Sequence, residues 1–181
     1  MRILGVDPGS HRTGYGCIDE RDSRHHVVAC GALTPPPRAT LAEKLLAVHR
    51  GLAELLVEHR PDAVAIEDLF YARNARSALI LGHVRGVLML AASEASVPIS
   101  EYSPTEVKRA VVGYGRAEKR QVQQMVALLL GMRTAPTPLD VSDALAVAVC
   151  HSHSIGPTQD PIRGGTAVRS WRRYRPRERV E

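Results

Sequence analysis

Cysteine is scarce in this chain. Cys17, Cys30 and Cys150 are odd in number and have neither metal-ligand nor Cys-x-x-Cys spacing. This pattern excludes a disulfide framework, and buried free thiols in a reducing cytoplasm are the expectation. No apolar run reads as long enough to span a bilayer, so no membrane contact is expected. The N-terminus opens on a strand-like run rather than a basic segment followed by a long apolar one, so no signal peptide is expected either. Phenylalanine occurs once, at Phe70. No internal repeat is visible.

What is present suits a globular fold. With 181 residues, 44% of them hydrophobic, the chain is long enough for one domain with a real core. Charge is unevenly placed. Residues 1–151 hold 17 Lys and Arg against 16 Asp and Glu, whereas residues 152–181 hold seven Arg against three acids. Such a basic tail either contacts nucleic acid without sequence preference or is simply solvated. Gly156-Pro157, Gly164-Gly165 and the unperiodic arginines read as disorder, which sets a boundary between a domain at 1–152 and a tail at 153–181.

Along the chain, residues 2–7, Thr13–Ile18 and Val27–Leu33 read as strands, and their short connections predict an antiparallel meander. Pro35-Pro36-Pro37 breaks the chain. A helix follows with Leu41, Leu45, Val48, Leu52, Leu55 and Leu56 on one face, ended by Pro61-Asp62. Ala63–Glu67 is a fourth strand, and the strand–helix–strand passage predicts parallel pairing with the first. Asn74 to about Ser96 reads as a long helix carrying Gly82 and Gly86. Two glycines four apart admit another backbone: the sheet, a second helix or a second subunit. Ile99–Tyr102 is a fifth strand. Ser103-Pro104-Thr105-Glu106 reads as a capped helix start. Glu118–Leu130 is a helix with Val122, Met125, Val126 and Leu129 inward, and Thr137-Pro138 opens a last helix to about Cys150. The expectation is an α/β fold, a mixed five-stranded sheet of a three-strand antiparallel meander plus two parallel strands, flanked by helices.

The chemistry lies in acids. Ile3-Leu4-Gly5-Val6 runs into Asp7, and Ala63-Val64-Ala65-Ile66 runs into Glu67 and Asp68. A carboxylate ending a buried strand is costly unless paired or metal-bound. Asp140 and Asp143, three apart on a helix, share a face. If that helix start meets the strand ends, four carboxylates converge on a hard divalent cation such as Mg²⁺. Each acid also has a plain structural reading. Asp7 suits a turn with Pro8-Gly9, Asp140 a capping box with Thr137, Asp143 the helix dipole, and Asp68 a solvated strand end. Caps and turns do not, however, require two apolar strands to end on acids. His151 and His153 are weaker metal candidates.

Asp7-Pro8-Gly9-Ser10 with Thr13-Gly14 is also similar to the phosphate loop of actin-like ATPases and sugar kinases. Those folds use two such domains, and no second Asp-x-Gly loop appears downstream. The broader pattern is different. It comprises Gly5-Val6-Asp7-Pro8-Gly9, Ile66-Glu67, Phe70 to Asn74, Leu81-Gly82, Arg85-Gly86-Val87, Tyr102-Ser103-Pro104, Val107-Lys108, Ala117-Glu118-Lys119 and Pro138 to Ala146. In combination it resembles the RuvC-type Holliday junction resolvases of bacteria, in the RNase H-like nuclease superfamily, over roughly residues 1–151.

The resemblance implies a crossover junction endodeoxyribonuclease of recombination and repair, acting on four-way junction DNA as a homodimer with a branch-migration complex as partner. Asp7, Glu67, Asp140 and Asp143 match the catalytic carboxylates that hold two Mg²⁺ ions, with Mn²⁺ an acceptable substitute. Phe70 matches an aromatic stacked on bases near the junction point. Its plain alternative is to cap the sheet's apolar edge. Lys108 and Lys119 match residues facing the DNA backbone, and Arg73, Asn74, Arg76 and Arg120 join them as candidate DNA contacts. The helix from Asn74 matches the dimer element, which accounts for Gly82 and Gly86.

Overall fold

The computed structural model describes residues 1–22, 24–68 and 74–155. Strands β1 (Arg2–Asp7), β2 (Thr13–Arg21) and β3 (Arg24–Leu33) form the expected antiparallel meander. Helix α1 (Leu41–His59) leads to β4 (Ala63–Glu67), which pairs parallel to β1. Helix α2 (Ala75–Glu94) leads to β5 (Ile99–Tyr102), parallel to β4. The sheet order is β3-β2-β1-β4-β5, the mixed five-stranded arrangement the sequence predicts. Helices α3 (Pro104–Val112), α4 (Lys119–Leu129) and α5 (Leu139–Ser154) complete the described residues.

Strand alternation divides the core. Ile3 and Ala65 face α3, α4 and α5, in a cluster with Val107, Val126 and Leu145. Leu4, Val6, Val64 and Ile66 face the other way, against α1 and α2 with Leu52, Leu56 and Leu88. Asp7 and Glu67 continue the first set, so both point to the α5 side. Helix α5 is buried along almost its whole length and lies directly across β1 and β2. Glycine permits that approach. A Cβ on Gly5 would collide with the Ala144 carbonyl and one on Gly14 with the Asp140 carbonyl.

Local chemistry sets the helix ends. Ser103 accepts a hydrogen bond from the Glu106 N–H, and the Glu106 carboxylate accepts one from the Ser103 N–H at 2.8 Å, with Pro104 at the first position. Thr40 and Glu43 form the same box at α1. Helix α5 continues to Ser154, past the end expected near Cys150. The tail beyond residue 155 lies outside the described residues.

Three expectations are corrected. Cys17 and Cys150 are buried, and burial pushes both thiols up to about 11, but Cys30 is exposed because it points outward from β3 at the sheet edge. Helix α2 is long and apolar enough to cross a membrane by length and composition, contrary to the reading of the apolar runs. One face of it, with Val84, Leu88, Ala91 and Ala92 buried, packs on α1 and β5, and its Arg85 is ion-paired to the sheet, which ties it to the globular body. Finally, among the described residues a Cβ on Gly82 or Gly86 would meet nothing within 4 Å, so neither the sheet nor another described helix uses the space they leave.

Candidate metal centre and DNA-facing cavity

Asp7 and Glu67 stand at the C-terminal ends of neighbouring parallel strands, on the face that α5 covers. Their carboxyls are close enough to act on each other. Burial, followed by the charges of Glu67 and Asp143, pushes the Asp7 carboxyl up to about 9. Glu67 is raised by burial and then by Asp143. The strand-end acids are therefore forced together, with Lys119 and Lys108 offsetting Glu67 only in part, which is the electrostatic state a bound cation relieves.

The helix acids are held differently. Asp143 accepts a hydrogen bond from Lys119 Nζ at 3.0 Å. Burial works against the Lys119 charge, but that hydrogen bond and the charges of Asp143, Asp7 and Glu67 outweigh it and raise its pKa. Asp140 lies 3.7 Å from Arg12 Nη1. The capping-box reading of Asp140 fails: Pro138 occupies the N-cap and no side chain caps the helix, which leaves Asp140 in the first turn. Among the described residues no three acid, histidine or cysteine side chains already form a closed ligand set. Asp140 contributes least to the Asp7 shift of the three acids around it, because Arg12 and α5 hold it at the rim.

The donor set nonetheless fits a hard divalent cation. It consists of carboxylate oxygens only, with Asp7 and Glu67 half-buried and mutually repelling, and with Asp143 and Asp140 held nearby by Lys119 and Arg12. Histidine takes no part. His151 is buried with its Nδ1 2.8 Å from the Tyr102 hydroxyl, and His153 turns its Nδ1 to the Ala110 carbonyl at 3.2 Å. Both lie at the far end of α5 from Asp140 and Asp143.

Beside the acids opens a cavity of about 180 Å³ lined by Glu67, Pro104, Val107, Lys108, Lys119, Val122 and Asp143. The structure thus brings Lys108 and Lys119 beside Glu67 and Asp143. Arg76 and Arg120 are exposed in the first turns of α2 and α4, outside that lining. Asn74 caps α2, its side-chain oxygen accepting the Ser77 N–H at 2.9 Å. Phe70 and Arg73 lie outside the described residues.

Asp68 is turned away from the acids. Alternation places it on the α2 face, where Arg85 Nη2 lies 3.7 Å from its carboxylate. Two arginines have partners at the site: Arg12 is not singled out by the sequence, and Arg85 enters there only within the matched segment Arg85-Gly86-Val87, without a partner. The alternation of Glu67 and Asp68 was a usable signal for Arg85. Arg12 had none, since its role follows from where α5 starts.

A mixed sheet of this order, with strand-end acids facing acids on a covering helix, defines an RNase H-like nuclease. Comparison with known proteins narrows this. The family model described as crossover junction endodeoxyribonuclease RuvC matches residues 3–151. A RuvC of Koribacter versatilis is 52% identical over 155 residues, covering 85% of this chain and 93% of that protein. One of Azorhizobium caulinodans is 50% identical over 157 residues, covering 87% and 92%. The structure of Thermus thermophilus RuvC in complex with a Holliday junction substrate superposes with a TM-score of 0.80 at 34% identity, over 84% of this chain and 93% of that one. The chain belongs to the RuvC family of crossover junction endodeoxyribonucleases.

Proposed function

We propose that this chain is a divalent-metal-dependent endonuclease that resolves Holliday junctions by paired symmetric nicks, in homologous recombination and DNA repair. The observation that carries this reading is the convergence of Asp7, Glu67 and Asp143 beside a cavity lined by Lys108 and Lys119. Asp7, Glu67, Asp140 and Asp143 would hold two Mg²⁺ ions, with Mn²⁺ able to substitute. Such a pair supplies an activated water and stabilises the departing oxygen in phosphodiester hydrolysis.

The chain's own residues prepare that chemistry. Asp7 and Glu67, fixed by adjacent strands, present the buried half of the donor set. Lys119 orients Asp143 through its hydrogen bond and, with Lys108, sets positive charge where a phosphate enters. Arg76 and Arg120 extend the basic surface, and Asn74 fixes the start of α2. Phe70 and Arg73 are assigned to the junction by family resemblance, and stacking on Phe70 would hold an unpaired base by roughly 1–3 kcal/mol. Residues 1–152 serve as the nuclease domain, and the arginines of 153–181 as a basic tail.

Two copies of the chain suit a two-fold junction. Helix α2 supplies the surface: Leu79 is 65% exposed and Leu90 52% exposed, and both line a groove of about 460 Å³ with Gly82 and Gly86. A second copy seated there would use the space the glycines leave. A branch-migration complex as further partner and a cytoplasmic location follow from the family's work on DNA.

The test is incubation of the purified protein with a labelled synthetic four-way junction under Mg²⁺, Mn²⁺ or EDTA, with duplex and RNA–DNA hybrid controls. Metal-dependent symmetric nicks confined to the junction are the expected outcome. Cutting of the hybrid instead would move the chain to another branch of the superfamily, and binding without cleavage under either metal would make it a junction-binding module.

A further inference from the structure

The ion pair beneath Asp68 ties the α2 helix to the metal centre. Glu67 and Asp68 are consecutive at the end of β4 and so point to opposite faces of the sheet. Glu67 faces the acids. Asp68 faces α2, together with Glu101 of β5. Arg85 of α2 joins the two. Its Nε donates to Glu101 Oε1 at 2.7 Å, its Nη2 contacts the same oxygen, and Nη2 also lies 3.7 Å from Asp68 Oδ1. The Asp68 N–H donates to the Tyr102 carbonyl at 2.7 Å, next to the Glu67–Tyr102 register pair. The residue that follows Glu67 is therefore clamped twice, by its backbone to β5 and by its side chain to α2.

We infer that Arg85 is a positioning residue for the nuclease reaction, which fixes the direction of the Glu67 carboxylate by holding Asp68 and Glu101. The inference rests on the reading of Glu67 as a metal ligand. Arg85 touches none of the reacting groups, and it acts in two ways. Its guanidinium bridges two carboxylates across β4 and β5, so the strand end cannot rotate to exchange Glu67 for Asp68. It also balances the Asp68 charge, which would otherwise stand one residue from a site that must admit a phosphate. A planar guanidinium suits this bridge better than a Lys point charge. The turn of α2 that carries Arg85 carries Gly86 on the apolar groove, so the clamp and the proposed dimer surface share one rigid element.

The experiment compares wild type, R85K, R85Q and E101Q as full-length chains. Mn²⁺ affinity is read by calorimetry without DNA, junction affinity in EDTA, and kcat and KM on a four-way junction. For R85Q the expectation is a Mn²⁺ affinity and a kcat each reduced about tenfold, as for residues that orient a ligand through another group. KM and junction affinity stay within about twofold, the signature of a positioning role rather than of lost substrate binding. R85K recovers part of both losses. If R85Q does not fold, E101Q carries the test, with smaller losses of the same two quantities. An R85Q that matches wild type in Mn²⁺ affinity and kcat overturns the inference. Loss of junction binding in step with kcat also overturns it, because Arg85 would then serve DNA contact or assembly. A wild-type protein that binds Mn²⁺ no better than D7N overturns the metal reading itself, and this inference with it.

Discussion

Strand β1 is six residues long and carries a charged cluster at each end, and the two clusters are built on opposite principles. At its start, Arg2 donates to both oxygens of Asp19 at 2.7 and 3.0 Å and to the His59 carbonyl at 2.8 Å, while its backbone N–H reaches Asp62 at 2.6 Å. Every charge there has a partner, and the Arg2 hydrogen bond holds the Asp19 carboxyl below its usual range. At its end, Asp7 meets Glu67 and Asp143, and its carboxyl is pushed up to about 9. Both acids are aspartates of the same strand pair, Asp19 on β2 beside the start of β1 and Asp7 at its end, yet the shifts are opposite. The first cluster closes the sheet against α1 and needs nothing further. The second is incomplete as protein alone, and a site that destabilises its own fold is the expected form of one that awaits a cation.

The comparison is broken most directly at Asp7. Asp7→Asn should lower the junction-cleavage rate at least about 10³-fold, the order lost when one preorganised electrostatic group is removed. Junction binding should persist, because the lysines and the rest of the basic surface are untouched. Mg²⁺-dependent cleavage by the variant at the wild-type rate would sink the assignment. The same variant should be more stable than wild type in EDTA. A carboxyl whose folded pKa lies above its ordinary 3.8 takes up protons on folding, so its contribution to stability falls as pH rises from 3.8 towards about 9. Denaturation midpoints of the metal-free wild type should accordingly decline across that window, and most of the decline should vanish in Asp7→Asn. Across that window Glu67 contributes in the same direction, so a residual slope is expected in the variant. Equal slopes in the two proteins would show that the acids are not frustrated.

How much of this was legible in sequence follows from what each feature depends on. β4 and β5 begin and end where the sequence reading puts them, and the Ser103 cap lies where Ser-Pro-x-Glu puts it, because these are set by neighbours in the chain. β2 and β3 run further than the apolar pattern, to Arg21 and from Arg24, because a hairpin is held by backbone bonds whatever its side chains. The acids could be found because burying a strand-end carboxylate is costly in any fold. The glycines could not be sorted. Gly5 and Gly14, where α5 presses on the sheet, look no different in sequence from Gly82 and Gly86, where nothing among the described residues approaches. Lys119 was named, but its bond to Asp143 depends on how α4 packs on α5, and Arg12 and Arg85 read as ordinary surface cations until the packing gives them partners.

The smallest expected effect sharpens the comparison from the other end. Arg2→Ala removes the fork on Asp19 and the donor on the His59 carbonyl at the end of α1, but leaves Arg21 at 3.1 Å from Asp19. The cluster is partly exposed, so the loss should be a drop of a few degrees in thermal midpoint, with kcat unchanged because Asp7 stands at the opposite end of the strand. Its pH signature must have the opposite sign to that of Asp7. A carboxyl held below its ordinary 3.8 adds stability that is fully present above that value and is lost as pH falls through the folded pKa. The deficit of Arg2→Ala should therefore be complete at neutral pH and shrink under acid conditions, whereas the gain of Asp7→Asn should grow as pH rises. A scan of midpoint against pH for the two variants in EDTA separates them. If the Arg2→Ala deficit persists unchanged below pH 3.8, the fork on Asp19 contributes nothing through charge and the start of the strand is held by packing alone.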